Sequence, residues 1–176
     1  MKRVVYPLVA LIMATVFSGC AAAQDAPKGN LIYCSYSEDK VGGLGKSYCE
    51  LIADPGIAPK VHVVLDHDCF HSPERSAEYE VDAEVVSKLQ EILLNGKVYQ
   101  LNGYYVDEDM CGGTIYRIYM EYDSGDKVNA RWYGHGIKAE AWEAFGLISN
   151  YFSPWRTRTE APEASEVSEE PGDSVK

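Results

Sequence analysis

The sequence predicts a single α+β domain, in which a mostly antiparallel sheet of about five strands packs two helices on one face. Three observations predict this fold class. Short apolar-rich segments are joined by turns rich in Gly and Asp, which is typical of antiparallel strands. Two longer segments repeat apolar residues at helical spacing. A hairpin near residue 125 has a register that its own side-chain pattern specifies.

The first three strands are predicted at residues 31–37, 46–53 and 60–66. A Gly-rich stretch separates the first two, and Asp54-Pro55-Gly56 turns the chain before the third. After a long loop, a helix is predicted from an N-cap at Asp82 to the stop signal Asn95-Gly96. A second long loop then leads to the hairpin. The two loops span residues 67–77 and 102–113.

The hairpin is predicted from strands at 114–122 and 126–133, and a final helix from residues 138–152. A three-residue turn with Gly125 in the left-handed region makes the numbers of opposed residues sum to 248. This register separates an apolar face from a polar one, and a shift by one residue would mix the two. The opposed pairs are Met120–Val128, Ile118–Ala130 and Tyr116–Trp132 on the apolar face, and Glu121–Lys127, Tyr119–Asn129 and Arg117–Arg131 on the other.

The N-terminal segment resembles a bacterial lipoprotein signal peptide. Lys2 and Arg3 precede the apolar residues 4–17, and small residues lead directly into Cys20. This apolar stretch is shorter than the ~20 residues that a membrane-spanning helix needs. The resemblance implies that residues 1–19 are cleaved and that Cys20 is diacylated with fatty acids such as palmitate. Because Ala21 stands where an Asp is associated with inner-membrane retention, we expect a lipid-anchored protein of the bacterial cell envelope, at the outer membrane.

The remaining chain is predicted to divide into three parts. Residues 20–29 are small and polar and suit a lipidated tether, and residues 30–155 hold the single α+β domain. Residues 156–176 are rich in Glu, Ser and Pro and cannot bury enough apolar surface to offset the entropy of ordering. We therefore predict a disordered acidic tail.

The charge balance excludes one class of partner. Without residues 1–19, which hold two basic residues and no acidic one, the chain has 14 basic and 27 acidic residues, for a net charge of −13. Nucleic-acid binding needs clustered Lys and Arg, so no nucleic-acid partner is expected. Electrostatic adhesion to anionic lipid is disfavoured for the same reason, which leaves the N-terminal lipid as the contact with the membrane.

Four cysteines remain once Cys20 is assigned to lipid: Cys34, Cys49, Cys69 and Cys111. An even number in an exported protein favours two disulfides, with three possible pairings. Cys34 and Cys49 lie nearly equidistant from the Gly-rich turn, which favours a bridge across the first hairpin, and Cys69 would then join Cys111. A reducing envelope would leave four free thiols instead.

Residues 119–130 are similar to the hairpin of a family of small exported proteins from gut-dwelling bacteria. In that family a Gly-Tyr or Gly-His motif and an aromatic-rich C-terminal helix follow the hairpin, as Gly134-His135-Gly136 and residues 142–152 do here. The similarity covers about residues 30–153. It concerns folding signals and assigns no site residues.

A candidate metal site lies where the third strand gives way to a loop. Imidazole and carboxylate are the ligands that transition metals prefer. Residues on a strand alternate in direction, so only side chains at the junction could converge. The candidates are Asp66, His67, Asp68 and His71, and a polar loop rich in His is the alternative reading. No recognised zinc-binding spacing is present.

The polar face of the hairpin is a candidate ligand-binding surface, formed by Arg117, Tyr119, Arg131 and Tyr133. Opposed like charges cost some stability unless an anion or Glu121 lies between them. Arginine flanked by tyrosine suits an anionic, sugar or protein ligand, because aromatic rings stack on sugars and guanidinium groups. The alternative is an ordinary polar sheet face, since Tyr favours strands.

Catalysis has little support in the sequence. It contains no Gly-x-Ser-x-Gly motif, no cysteine with an obvious His partner and no phosphate-binding loop. The sequence therefore favours a non-catalytic envelope lipoprotein that uses no cofactor and binds a protein or glycan. A metal-binding envelope protein that uses the His/Asp loop at 66–71 is the alternative, and a structural spacer fits equally.

Overall fold

The computed structural model describes residues 24–42, 45–66, 74–107, 113–133 and 137–161. Within these ranges the chain forms seven β-strands, two α-helices and one short 3₁₀ helix. In chain order the elements are β1 (Leu31–Lys40), β2 (Lys46–Ile52), β3 (Lys60–Asp66), β4 (Arg75–Glu80), α1 (Ala83–Asn95), the 3₁₀ helix (Val98–Leu101), β5 (Tyr105–Val106), β6 (Thr114–Tyr122), β7 (Lys127–Tyr133) and α2 (Ala139–Glu160).

The strands of the described residues form one open sheet in the order β4-β3-β2-β1-β6-β7-β5. All neighbours are antiparallel except β5, which runs parallel to β7. β1 lies at the centre, between β2 and β6. The predicted class, α+β with a mostly antiparallel sheet and two helices, is confirmed, but the sheet has seven strands rather than about five.

The β6–β7 hairpin has the predicted register. Arg117 lies opposite Arg131, Met120 opposite Val128, and all the other predicted pairs are also opposed. The turn closes with hydrogen bonds from the Tyr122 amide to the Asp126 carbonyl (3.0 Å) and from the Gly125 amide to the Tyr122 carbonyl (2.9 Å). Gly125 has a φ of 88°, a conformation that residues with a Cβ rarely adopt.

One face of the sheet, called here the inner face, is buried under both helices. Alternate side chains of β1, β2, β3, β6 and β7 form a continuous apolar cluster with side chains of α1 and α2. Within it Trp132 is stacked on Tyr116, with the ring centroids 5.9 Å apart and an angle of 15° between the rings, and Phe145 meets Trp132 edge-on. The fully buried large side chains are Trp132, Tyr36, Tyr122, Phe152, Leu31, Leu51, Leu65, Leu89, Leu93, Ile118, Met120 and Ile148.

Two strands were not predicted: β4 begins in the loop predicted at 67–77 and continues through residues 78–80, to which no element was assigned, and β5 lies in the loop predicted at 102–113. In β4, with the sequence RSAEYE, only Ala77 and Tyr79 alternate with polar residues, and β5 has only two residues, so neither segment gives a clear strand pattern. Both are edge strands, and each is held by a single neighbour. Edge strands need fewer apolar residues than central ones, which is why the pattern did not reveal them.

Helix α2 continues to Glu160, beyond the predicted end at residue 152 and through residues 156–160, which were assigned to the acidic tail. Pro154 lies inside it and lacks the amide that would bond to the Asn150 carbonyl. The Ser153 hydroxyl donates to that carbonyl instead, at 2.8 Å. The helix therefore passes Pro154 without leaving this carbonyl unsatisfied.

Cys34 and Cys49 are both free thiols, so the predicted bridge between them is absent. The register places Cys34 opposite Leu51 and Cys49 opposite Tyr36, two residues away from the alignment that a direct cross-strand pair needs. Both side chains are fully buried on the inner face, and burial raises the pKa of Cys34 to about 12 and that of Cys49 to about 11. Cys69 and Cys111 lie outside the described residues.

The chain enters the domain beside the β6–β7 turn. The Lys28 amide donates to Asp126 (2.8 Å), the Asn30 amide donates to Asp123 (2.9 Å), and the Ser124 hydroxyl donates to the Lys28 carbonyl (2.7 Å). The last residues of the predicted tether are thus fixed to this turn. Among the described residues no helix is long and apolar enough to cross a membrane.

Candidate functional site

The sheet face opposite the helices, called here the outer face, carries the candidate ligand-binding residues. At its centre, β1 contributes the small residues Ser35 and Ser37, which are buried beneath their neighbours. Tyr119 lies opposite Ser35, and Arg117 lies opposite Ser37. The Tyr119 ring meets that of Tyr33 edge-on, with the ring centroids 5.8 Å apart. The larger side chains of Tyr119 and Arg117 therefore lie beside two small residues in the middle of β1.

Tyr133 shares the register of this face but contributes little accessible surface. It lies opposite Ile115 and is only 6% exposed. Part of its ring lies against the backbone of Gly113, where an added Cβ would come within 3.0 Å of the ring. Arg117, Tyr119 and Arg131 are half-buried and accessible, so they form the available part of the predicted set.

Separate aspartates neutralise the two opposed arginines. Arg117 forms an ion pair with Asp39 of β1, and Arg131 lies 3.7 Å from the carboxylate of Asp107. Burial, followed by the charge of Arg131, lowers the pKa of Arg117. Glu121 does not lie between the arginines, because it pairs with Lys127 at 3.0 Å. The face therefore alternates in charge rather than presenting an excess of positive charge.

A second polar cluster crosses β1, β2, β3 and β4 on the same face. The Glu50 carboxylate accepts hydrogen bonds from the hydroxyls of Tyr33 and Tyr48, both at 2.5 Å, and lies 2.9 Å from His62 Nδ1. His62 Nε2 lies 3.0 Å from the Ser76 hydroxyl. We call these five residues the Glu50 network.

The electrostatics of the Glu50 network keep its carboxylate ionised. Burial alone would raise the pKa of Glu50, but the hydrogen bonds from Tyr33, Tyr48 and His62 outweigh it, and the pKa lies below its ordinary value. Burial, followed by the contact with Glu50, raises the pKa of both Tyr33 and Tyr48. The tyrosines therefore act as donors to a carboxylate that remains charged at neutral pH.

The sequence analysis missed the Glu50 network because its members are far apart in the chain. Glu50 lies directly opposite His62, and His62 lies diagonally across from Ser76. The first relation could have been found by pairing the predicted strands 46–53 and 60–66 across the Asp54-Pro55-Gly56 turn. The second could not, because β4 was not predicted.

The predicted metal site lies mostly outside the described residues. Asp66 is the last residue of β3, whereas His67, Asp68 and His71 lie in a range that the structure does not describe. Among the described residues no group of three or more His, Cys, Asp or Glu side chains could hold a metal ion. The metal site stays a prediction.

Compared with known proteins, the chain matches no protein-family model, and no curated protein is significantly similar to it.

Proposed function

We propose that this chain is an envelope lipoprotein whose domain binds a protein partner through the outer face of its sheet. The observation that carries the proposal is the arrangement of the two layers. Both helices pack on the inner face, which leaves Arg117, Tyr119 and Arg131 accessible on the other side beside Tyr33. Tyr and Arg are the residues that most often dominate binding energy in protein interfaces.

The charge pattern favours a protein over a simple anion. Each arginine is already paired with its own aspartate, so an anion would have to displace Asp39 or Asp107. The face is also a strand surface rather than a concavity, whereas small-molecule sites are concave. A protein partner can match alternating charges and cover an extended surface at the same time.

The proposed lipid anchor would hold this domain close to a membrane. Lys28 is fixed to the β6–β7 turn, and it stands eight positions after Cys20 in the chain. Eight fully extended residues span no more than roughly 30 Å. A lipid on Cys20 would therefore keep the turn within about that distance of the bilayer surface, with the outer face open to a partner in the same envelope.

The binding proposal is tested by site-specific photo-cross-linking in cells. A photoreactive residue at Asn129, which is exposed on the outer face between the two arginines and Glu121, should give a discrete protein adduct. A matched residue at Glu91, exposed on α1, should not give that adduct. Combining the Asn129 probe with Arg117→Ser and Arg131→Ser should abolish it.

Three outcomes would contradict the proposal. One is the same adduct from both faces, another is no adduct from Asn129, and the third is an adduct that persists in the double arginine variant. Binding of a glycan panel to the purified protein, lost in the arginine variant, would assign the face to a sugar ligand instead.

The anchor is tested separately by metabolic labelling. Cells given an alkyne analogue of palmitate should incorporate it into the wild-type chain and not into Cys20→Ser, which should also leave the membrane fraction. Equal labelling of the two chains would exclude Cys20 as the acylation site.

A further inference from the structure

We propose that Ser76 is a nucleophile for acyl transfer from carboxylic esters, with His62 as its general base and Glu50 as the residue that orients the imidazole. This inference does not depend on the arginine surface of the same face. It rests on the Glu50 network and on the backbone of the β4 edge.

The hydrogen bonds determine which nitrogen of His62 carries the proton. The ionised Glu50 can only accept, so Nδ1, 2.9 Å away, must be the donor. In the neutral imidazole Nε2 then has the lone pair, and the Ser76 hydroxyl at 3.0 Å donates to it. Nucleophile, base and orienting carboxylate thus follow one another in the order and at the distances that activate a serine.

The rest of the network holds Glu50 in place. Tyr33 and Tyr48 both donate to its second oxygen, and their own hydroxyls lie 2.7 Å apart. The Tyr48 ring meets the His62 ring edge-on, with the centroids 6.4 Å apart. These contacts fix both ends of the carboxylate, so its orientation toward the imidazole does not depend on water.

The position of Ser76 on an edge strand leaves its amide available to an oxyanion. The Val81 amide bonds to the Pro59 carbonyl, and the β3–β4 register runs on from that pair without a shift. Hydrogen-bonded positions alternate along an antiparallel strand, so the backbone groups of Tyr79 and Ala77 face β3. The backbone groups of Ser76 and Glu78 point away from β3, toward the free edge of the sheet. The Ser76 amide can therefore donate to an acyl oxygen attached to its own side chain.

A cavity of about 780 Å³ opens beside this edge, between β4 and the last turn of α2. Its volume is in the range of small-molecule sites, but Ala77 and Tyr79 line it from the inner side of β4, whereas the Ser76 hydroxyl lies on the outer face with His62. The cavity therefore does not surround the Ser76 hydroxyl, and it could hold only a part of the ester that passes around the free edge of β4. Its two walls are joined, because the Tyr79 hydroxyl lies 2.9 Å from Thr159 Oγ1 and the Arg75 guanidinium donates to the Glu160 carbonyl. The lining residues include Ser76, Ala77, Tyr79, Arg158 and Thr159.

The proposed step transfers the acyl group to the serine. Ser76 Oγ attacks the ester carbonyl and forms a C–O bond while its proton moves to His62 Nε2. The C–O bond to the alcohol then breaks, and the alcohol takes that proton. Water, activated by the same imidazole, cleaves the acyl-serine to a carboxylic acid. Esters suit a site with one backbone donor, because an alcohol is a better leaving group than an amine.

The proposal is tested with a fluorophosphonate probe on the full chain in mild detergent. Attack by Ser76 forms a P–O bond and releases fluoride, which leaves an adduct that peptide mass spectrometry locates. We expect one adduct at Ser76, none there in Ser76→Ala, and labelling at least about 100-fold slower in His62→Gln, because a general base contributes about 10²–10⁴-fold. Ser87→Ala, an exposed serine on α1, is the matched control and should label as the wild type does.

An unlabelled Ser76 in a chain with a native circular dichroism spectrum would overturn the assignment of Ser76 as the nucleophile. Equal labelling rates in the wild type and in His62→Gln would overturn the assignment of His62 as the general base. Hydrolysis of p-nitrophenyl butyrate that is lost in Ser76→Ala supports the ester class. An adduct without such hydrolysis would overturn it.

The positioning role of Glu50 has a spectroscopic readout. In Glu50→Gln the amide can donate to Nδ1, which moves the imidazole proton to Nε2 and removes the base. Imidazole ¹⁵N shifts should report this exchange together with slower labelling. Slower labelling with the tautomer unchanged would overturn the orienting role.

Discussion

The two ends of the sheet differ in how far apart in the sequence their contacting residues lie. At the β6–β7 end, a three-residue turn brings neighbouring strands together, and Tyr116 stacks on Trp132. At the β4 end, Tyr79 bonds Thr159, which is 80 residues away. The hairpin end is therefore specified by local pattern, whereas the β4 end forms only when the rest of the fold is in place. Ser76, the proposed nucleophile, lies at the β4 end.

The largest expected effect is at the hairpin end, where Trp132→Ala removes a fully buried aromatic ring. Trp132 is fully buried, so the substitution should lower the free energy of unfolding by about 3–5 kcal/mol. Trp142→Ala is the matched control. Because Trp142 is 43% exposed, its substitution should lower the free energy of unfolding clearly less. Urea denaturation measures both, and equal losses would show that the hairpin end is not the core of the domain.

Glycine substitutions isolate the contribution of turn conformation. An Ala side chain at position 125 would meet no atom within 4 Å, but its backbone would have to adopt a φ of 88°. Gly125→Ala should therefore lower the free energy of unfolding by about 1–2 kcal/mol. Gly146, in α2, is also in open space and has a helical backbone. Gly146→Ala should instead raise the free energy of unfolding by about 1 kcal/mol. Stability changes of the same sign would contradict this account.

At the β4 end, Tyr79→Phe removes the hydroxyl that bonds Thr159. We expect a loss of about 1 kcal/mol and faster amide hydrogen exchange confined to β4 and the last turn of α2. Tyr105→Phe, at the opposite edge and 56% exposed, should change stability by less than about 0.5 kcal/mol. Faster exchange throughout the sheet in Tyr79→Phe would show that the two ends unfold as one unit.

The Glu50 network should make part of the stability dependent on pH. The folded-state pKa of Glu50 lies below its unfolded value of about 4.3, so its contribution is complete above that value and is lost as pH falls through the folded pKa. The stability difference between wild type and Glu50→Gln should therefore shrink between about pH 5 and the folded pKa. A difference that stays constant over this window would exclude an ionised Glu50.

The smallest expected effect is the reactivity of the thiols of Cys34 and Cys49, which lie between the two ends of the sheet. In the native state Cys34 and Cys49 should react very slowly with iodoacetamide, because both are fully buried and burial raises the pKa of each. After unfolding without a reductant both should be alkylated. Alkylation that needs a reductant would indicate a disulfide.

What could be predicted from the sequence depends on the distance over which the determining contacts act. The hairpin register followed from a turn and two faces within 20 residues, and all its predicted pairs are opposed. The Cys34–Cys49 pairing rested on equal distances from a turn, and it was wrong because the strands pair in another register. β4 was not predicted, because only Ala77 and Tyr79 alternate with its polar residues, which is too short a pattern to indicate a strand.

The candidate surfaces show the same division. Arg117 and Arg131 were placed opposite each other from sequence, but their aspartate partners come from β1 and from the segment after β5, so the compensation of charge was not predictable. Glu50, His62 and Ser76 belong to three strands, and only the completed sheet brings them together.

By itself the sequence determined the fold class, the hairpin register and the start of α1, because side-chain alternation, turn residues and helical spacing act over a few residues. The tertiary structure alone decided the two edge strands, the full length of α2, the burial of Cys34 and Cys49 and the assembly of the Glu50 network. These features depend on contacts between residues far apart in the chain, whose free energy becomes available only when the sheet and helices have closed on each other.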